Sequence, residues 1–196
     1  MWQILTIVLI SICVVAGNGG CPGFAGYKHN PSYLKYLDGD LVMVYTTSTY
    51  VLECEQIAWT VCPHGKRTAS LKDATGCQRV IDNFDTSNPE YIQHTISPVT
   101  TCSKLPSTEV VRKKLFKKVT TCDNLCIFIA ICHPSRNGIL VACRKAPRDI
   151  LLRNLGTTLT KLVGSSASIK TINQANCIFG NTCVETLESR VTILLT

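Results

Sequence analysis

The stretch CDNLCIFIAIC at residues 122–132, followed by NGILVACR at residues 137–144, carries the clearest pattern in this chain of 196 residues. Cys126–Cys132 is an almost unbroken apolar run with the length and composition of a buried strand. The Asn-Gly pair that opens the second stretch favours a tight turn, because both residues adopt positive φ at low cost. Ile139–Arg144 follows as a second apolar run. The sequence therefore predicts an antiparallel hairpin here.

An amphipathic helix is predicted after the hairpin. From Asp149 onward, apolar residues recur at the spacing of a single helical stripe. They are Leu151, Leu152, Leu155, Leu159, Leu162 and Val163. Pro147 before the stripe and Gly164 just after it are residue types that commonly mark a helix start and a helix end. We expect this helix to pack its leucine stripe against the strands.

The chain before the hairpin is interpreted as further short strands separated by turn residues. The predicted strands are two within Leu41–Val61, joined near residues 47–51, and one each at Lys66–Lys72, Cys77–Ile81, Tyr91–Ile96 and Glu109–Val119. The last segment also fits a helix, but its valines favour a strand. About eight strands and one helix predict a mainly β fold, a single eight-stranded antiparallel up-and-down barrel with a C-terminal α-helix packed outside.

Residues 2–16 form an uncharged apolar block near the N-terminus. The block is shorter than a comfortable membrane span and has the position of a secretory signal, although no Lys or Arg precedes it. An uncleaved anchor is the alternative. We expect a signal peptide at residues 1–20 and one barrel domain at residues 21–196, secreted to the extracellular space.

The chain contains 12 cysteines, and Cys13 lies in the predicted signal, which leaves an odd number in the domain. This density in an exported chain favours a disulfide-braced fold. Cys122, Cys126 and Cys132 also have a spacing that fits a zinc cluster, but oxidation to disulfides is favoured in a secreted chain. The four histidines are scattered among turns and strands: His29, His64, His94 and His133. No metal site is predicted from them.

The net charge is +7, and the basic residues lie mainly in pairs along the predicted strands and in the region from Arg144 to Arg153. Such a surface suits nucleic acid, an anionic membrane or an anionic ligand, but paired lysines that face water are also ordinary protection of strand edges. The basic pairs lack interleaved aromatic residues, so nucleic-acid binding is disfavoured. No second stretch has the length of a membrane span.

No catalytic signature is found in the chain. There is no nucleophile elbow and no Cys/His pair with catalytic spacing. Asp82 and Asp85 have too few further carboxylates nearby for a calcium cage and are interpreted as turn residues. The sequence therefore predicts a protein that is not an enzyme.

The order of strand, turn, strand ending in Arg144, helix, short strand and Cys177 resembles the closing segment of the lipocalins. It is most similar to the arm of that family that includes apolipoprotein D and the insect bilin-binding proteins, with tick salivary lipocalins as a second possibility. The resemblance implies that Gly39 opens the first barrel strand, that Leu41 replaces the family's Trp at the closed end, and that Arg144 lies over Leu41. It also implies the disulfides Cys21–Cys132 and Cys54–Cys177. The pairing of the other cysteines stays open.

The resemblance implies a secreted carrier that holds a small hydrophobic ligand inside the barrel. Biliverdin, another tetrapyrrole or a fatty acid is expected, since the basic balance favours a carboxylate, and scarce acids disfavour the amines bound by some tick lipocalins. The candidate ligand-binding residues are Met43, Tyr45, Trp59, Tyr91, Phe116 and Phe128. Strand parity puts Tyr45 on the face of Leu41 and Met43, although each aromatic also suits packing between barrel and helix. The alternative is a secreted interaction protein with a filled barrel that binds a partner protein through its loops.

Overall fold

The computed structural model of the protein describes residue 21 and residues 23–48, 56–61, 67–72, 78–98, 109–133, 137–164 and 167–172. This part of the chain forms nine strands, two short 3-10 helices and one α-helix. The strands are β1 Gly39–Thr46, β2 Gln56–Val61, β3 Arg67–Lys72, β4 Gln78–Asp85, β5 Ile92–Pro98, β6 Glu109–Thr120, β7 Leu125–Cys132, β8 Gly138–Cys143 and β9 Lys170–Thr171. The helices are η1 Phe24–Gly26, η2 Pro31–Tyr36 and α1 Asp149–Val163.

The strands pair in one antiparallel sheet, in the order β2-β3-β4-β5-β6-β7-β8-β1-β9. From β1 to β8, each strand pairs with the next one along the chain. Strand β1 also pairs with β8, from Val42 opposite Cys143 to Thr46 opposite Leu140. Strand β1 therefore has β2 on one side and β8 on the other, while the two-residue β9 is added at its end.

The mainly β architecture with an antiparallel sheet, one α-helix and disulfide bonds is confirmed. The strands of the predicted hairpin are β7 and β8, and the ambiguous segment Glu109–Val119 is strand β6. Helix α1 begins at Asp149 and ends at Val163, where Gly164 adopts a φ of 82° and its N–H bonds to the carbonyl of Thr160. A residue with positive φ at this position is a common way to end a helix.

The sheet has two buried faces, because successive side chains of a strand point to opposite sides. On the helix face, Val42, Phe128 and Val141 pack with Leu155 and Leu159 of α1. The opposite face, here the far face, carries a separate apolar cluster. Its members include Leu41, Met43, Ile81, Ile92, Ile96, Val111, Leu115, Ile127, Ile129 and Ala142, all at most 5% exposed.

One end of the far face is covered by the segment before β1. Leu34 and Leu37 join the far-face cluster there. Arg144, which follows β8, donates a hydrogen bond to the carbonyl of Asp38. Gly39 has a φ of 87°, and a Cβ at this residue would lie only 2.9 Å from Nη1 of Arg144. The positive φ favours glycine at this position.

The N-terminal segment continues the edge of β6 where β5 stops. The pairing of β5 with β6 ends at Ile92 opposite Lys113. Beyond it, the N–H of Leu115 donates to Nδ1 of His29 over 3.1 Å, and the N–H of Asn30 donates to the carbonyl of Leu115 over 2.8 Å. Both backbone groups of Leu115 are thus satisfied by the segment before η2, as buried backbone groups require.

Two disulfides lie within the described residues. Cys21–Cys132 joins the N-terminal segment to the end of β7, with Cα atoms 5.4 Å apart, and is one of the two pairings that the sequence led us to expect. Cys126–Cys143 joins opposite residues of β7 and β8, with Cα atoms 4.0 Å apart. The expected partners Cys54 and Cys177 lie outside the described residues.

Candidate functional site

The far face carries polar side chains where β5 and β6 pair. His94 lies between Ile92 and Ile96 on this face of β5, and it stands opposite Val111 of β6. Lys113 is two residues further along β6, so it lies on the same face and diagonally across from His94. Diagonal neighbours in an antiparallel pair are about 7–8 Å apart, within reach of long side chains.

His94 is completely buried, with 0% of its surface exposed, and no group in the described part of the chain hydrogen-bonds to either ring nitrogen. Its ring is nearly parallel to that of Phe84, with ring centroids 6.4 Å apart and an interplanar angle of 22°. Burial lowers the pKa of His94 well below its usual value, and the charge of Lys113 lowers it further. The imidazole is therefore neutral and offers one N–H donor and one nitrogen acceptor. Leaving such a group unsatisfied costs about 1–3 kcal/mol.

A lysine and a carboxylate share this buried face with His94. Lys113 is 6% exposed and Glu109 is 4% exposed. Nδ1 of His133 lies 3.9 Å from Oε2 of Glu109, near the end of the sheet opposite η2. The site thus has a neutral hydrogen-bonding group deep on the far face, a cation beside it, and a carboxylate nearer the other end of β6.

Apolar side chains form the rest of the far face. Met43 is fully buried there, and so is Leu41. Met43 is therefore the predicted ligand-binding residue that shares a face with His94. Leu41 lies in the cluster that also contains Leu37, and Arg144 contacts Asp38 and Gly39 at the start of the same strand.

The placement of Tyr45 on the same face as Met43 was wrong. The pairing of β1 with β8 contains a β-bulge between Met43 and Tyr45, which breaks the strict alternation on which the prediction depended. Tyr45 instead packs in the helix-face cluster. A Cβ on Gly156 of α1 would lie 3.1 Å from the Tyr45 hydroxyl.

Phe116 and Phe128 also belong to the helix face, which decides between the two placements that the sequence allowed. Phe128 is fully buried, and its ring meets Phe116 edge to face at 6.2 Å. Phe116 in turn contacts Tyr27, with ring centroids 4.4 Å apart. These aromatics fix the N-terminal segment and α1 to the outside of the sheet.

Of the other two predicted aromatics, only Tyr91 has a described side chain, and it lies away from the far-face site. Tyr91 precedes β5, is half-buried, and lies beneath Arg112, whose guanidinium carbon is 5.1 Å from the ring centroid. It lines a depression on the outer surface. The side chain of Trp59 lies outside the described part of the chain.

Sequence reasoning missed His94 and Lys113 as site residues. The signal was present in the strand pattern. His94 lies two residues from Ile92 and from Ile96, and Lys113 lies two residues from Val111 and from Leu115, so each polar residue shares a strand face with apolar ones. A polar residue at an inward position of an apolar strand is informative, because burial of an unpaired polar group is costly. The spacing of the histidines, which was assessed only for a metal site, does not reveal a single buried histidine of this kind.

Among the described residues, no group of three or more His, Cys, Asp and Glu side chains is arranged to hold a metal ion. In the same part of the chain, no helix combines the length and the apolar character needed to cross a membrane. Cys122 is an exposed free thiol.

No model of a known protein family matches this chain, and no curated protein matches it significantly.

Proposed function

We propose that this protein is a secreted carrier with a lipocalin-like barrel, and that it holds a small, largely apolar molecule on the far face with one polar group of the ligand bonded to His94. The single observation that carries the proposal is the state of His94. The residue is completely buried, and within the described residues neither ring nitrogen has a hydrogen-bond partner. A ligand that supplies an acceptor or a donor there would recover the hydrogen bonds that the folded chain leaves unmade.

The strand pairings support a closed barrel. Strand β1 pairs with both β2 and β8, and consecutive pairings link β2 to β8. The far-face cluster joins residues from β1, β4, β5, β6, β7 and β8, which brings strands that are distant in the pairing order into one buried group. A barrel interior with apolar walls and few polar groups is the usual form of a small-molecule site in such folds.

Three further contacts support the lipocalin-like interpretation. The Cys21–Cys132 bond has the expected pairing, Arg144 lies at the start of β1, and α1 packs outside the sheet. The expected ligand carries a carboxylate, as a fatty acid, biliverdin or a related tetrapyrrole does, because Lys113 adds a positive charge beside His94. Binding of this kind requires no catalytic group.

The experiment that tests the proposal compares His94→Phe with the unmodified protein, purified from a secreting host. Native mass spectrometry and an absorption spectrum would detect a ligand retained from the host. Titration with the fluorescent fatty acid cis-parinaric acid, and separately with biliverdin, would measure affinity. We expect His94→Phe to weaken binding of the preferred ligand about tenfold or more.

Tyr45→Phe is the matched control, because Tyr45 lies on the helix face. It should leave affinity within about twofold of the parent value, which is below the effect of one hydrogen bond. If neither ligand binds and no ligand is retained, the carrier proposal fails and the filled-barrel interaction protein becomes the better explanation.

A further inference from the structure

A depression lies on the surface of the protein, on the side of β6 opposite to Lys113. The depression has a volume of about 740 Å³. It is walled by the N-terminal segment from Phe24 to His29, by Pro89–Tyr91, and by Arg112, Lys114 and Cys132. Its volume falls within the range of about 300–1,000 Å³ that is typical of small-molecule sites.

The cations of this depression are held by aromatic rings. Nζ of Lys114 lies 4.8 Å from the ring centroid of Phe24, and the guanidinium of Arg112 lies 5.1 Å from that of Tyr91. Nε of Arg112 also donates to the side-chain oxygen of Gln93 over 3.4 Å. Ring faces attract cations, so these contacts fix both side chains in place.

The positive charge here is not neutralised by neighbouring carboxylates. Lys114 is only 7% exposed, and in the described part of the chain neither Lys114 nor Arg112 forms an ion pair with Asp or Glu. Lys28 adds a third cation to the lining, against one carboxylate, that of Glu90. A buried ammonium without an anionic partner is costly, and a bound anion would relieve that cost.

The wall formed by the N-terminal segment is built in advance of binding. Cys21–Cys132 ties one end of this wall to β7, and His29 accepts a hydrogen bond from the backbone of Leu115 at the other. A site whose walls are already ordered loses little conformational entropy on binding. The depression therefore has fixed cations, apolar and aromatic walls, and a rigid frame.

We propose that this depression binds a small aromatic acid, with its anionic group on Arg112 and Lys114 and its ring beside Phe24 and Tyr91. The site is distinct from the far-face site, because Arg112 and Lys114 point to the other side of β6 from Val111 and Lys113. It takes a second ligand, and its occupancy does not depend on whether the far face holds one.

The test uses naphthalene-2-sulfonate as the probe and 2-(methylsulfonyl)naphthalene as its neutral counterpart, both titrated into the full secreted protein by calorimetry. Two-dimensional amide NMR of the unmodified protein locates the site. We expect shifts in the amides of residues 24–29 and of Tyr91, Arg112 and Lys114, and an affinity for the sulfonate about tenfold or more above that for the neutral sulfone.

The double variant Arg112→Gln/Lys114→Gln should weaken binding of the sulfonate about tenfold or more. The matched control is Arg153→Gln/Lys161→Gln, which removes two charges from the exposed surface of α1 and should change affinity less than about twofold. Equal affinity for the sulfonate and the sulfone would overturn the proposal. Amide shifts that spare residues 24–29 and Tyr91 would also overturn it, and this result does not depend on the folding of any variant.

Discussion

His94 has an unusual environment for a histidine in a strand. The ring lies with Phe84 beside it and Lys113 diagonally across, and its nitrogens form no hydrogen bond to any described residue. In a folded protein, a buried polar group of this kind is normally paired, so one without a partner among the described residues calls for an explanation, and the proposed ligand supplies one. His94 therefore sets one requirement for the proposed ligand, namely a group that donates or accepts a hydrogen bond.

The charge of Lys113 gives a prediction about ligand chemistry. Lys113→Met keeps the length and apolar character of the side chain but removes the ammonium. We expect the affinity for a fatty acid to fall about tenfold or more, because a hydrogen bond to a charged group contributes about 1.5–3 kcal/mol. The affinity for the matching fatty alcohol should change less than about threefold. Fluorescence displacement with the acid and the alcohol of equal chain length measures both, and an equal loss for the two ligands would contradict the assigned role.

Two buried histidines predict how stability varies with pH. Burial lowers the pKa of His94 and of His29, and the charges of Lys113 and Lys114, respectively, act in the same direction. The unfolded chain therefore binds protons more readily than the folded one as pH falls below about 6.5, the usual value for histidine. Stability should be fully present above that pH and should decrease below it.

The measurement is the urea midpoint of unfolding at pH 7.5 and at pH 5.5, a range that leaves most carboxylates ionised. His94→Phe should reduce the difference between the two midpoints, since one of the two buried histidines is then absent. A difference that is unchanged in the variant would show that His94 does not contribute to this pH dependence.

At the scale of elements, the bulge in β1 determines what Tyr45 contacts. The shift between Met43 and Tyr45 moves the tyrosine to the helix face, where its hydroxyl comes close to Gly156. Helix α1 therefore carries a glycine in its interior, at a cost of about 1 kcal/mol in helix propensity relative to alanine. The close approach of the Tyr45 hydroxyl explains the glycine, because a side chain at residue 156 would crowd it.

A double-mutant cycle tests this contact. Gly156→Ala alone should destabilise the protein, because the new Cβ would lie 3.1 Å from the Tyr45 hydroxyl. In the Tyr45→Phe background, the same change should stabilise it by up to about 1 kcal/mol, since the hydroxyl is gone and alanine favours the helix. Urea unfolding of the four proteins gives the coupling between the two residues. The same sign of effect in both backgrounds would rule out this explanation for Gly156.

The strands, the hairpin and α1 were predictable from sequence because each leaves a local pattern, either periodic apolar positions or an apolar run bounded by turn residues. Helix α1 begins and ends where the leucine stripe, Pro147 and Gly164 indicated. The face of Tyr45 was not predictable, since a bulge adds one residue to a strand without a composition signal of its own. The role of His94 was missed because its burial depends on the enclosure of the far face, which arises from pairing of strands distant in sequence.

At the scale of the whole molecule, the two described disulfides differ in the length of chain they enclose. Cys21–Cys132 spans 111 residues, whereas Cys126–Cys143 spans 17. In the chain-entropy model, removing the first costs about 4–5 kcal/mol and removing the second about 3 kcal/mol. We expect paired Cys→Ser variants to lower the free energy of unfolding in that order. Urea unfolding under non-reducing conditions measures both, and a larger loss for the Cys126–Cys143 pair would contradict this account.

The second expected long-range bond is a prediction for the whole chain. Non-reducing peptide mapping should recover a Cys54–Cys177 link beside the Cys21–Cys132 link. It would tie the chain after α1 to the segment that follows β1. Recovery of Cys54 linked to Cys62 instead would remove support for the bilin-binding arm of the lipocalins.

The bond between Cys21 and Cys132 also sets how the molecule would respond to a pulling force. A force applied at the N-terminus passes through the two sulfur atoms directly into the end of β7, so this bond alone would take the intervening chain out of the force path. At about 3.6 Å per extended residue, the 111-residue separation would hide roughly 400 Å of contour length until the bond is reduced. In a variant that keeps only this crosslink, a single-molecule extension trace should therefore lengthen by about that amount when a reductant is added.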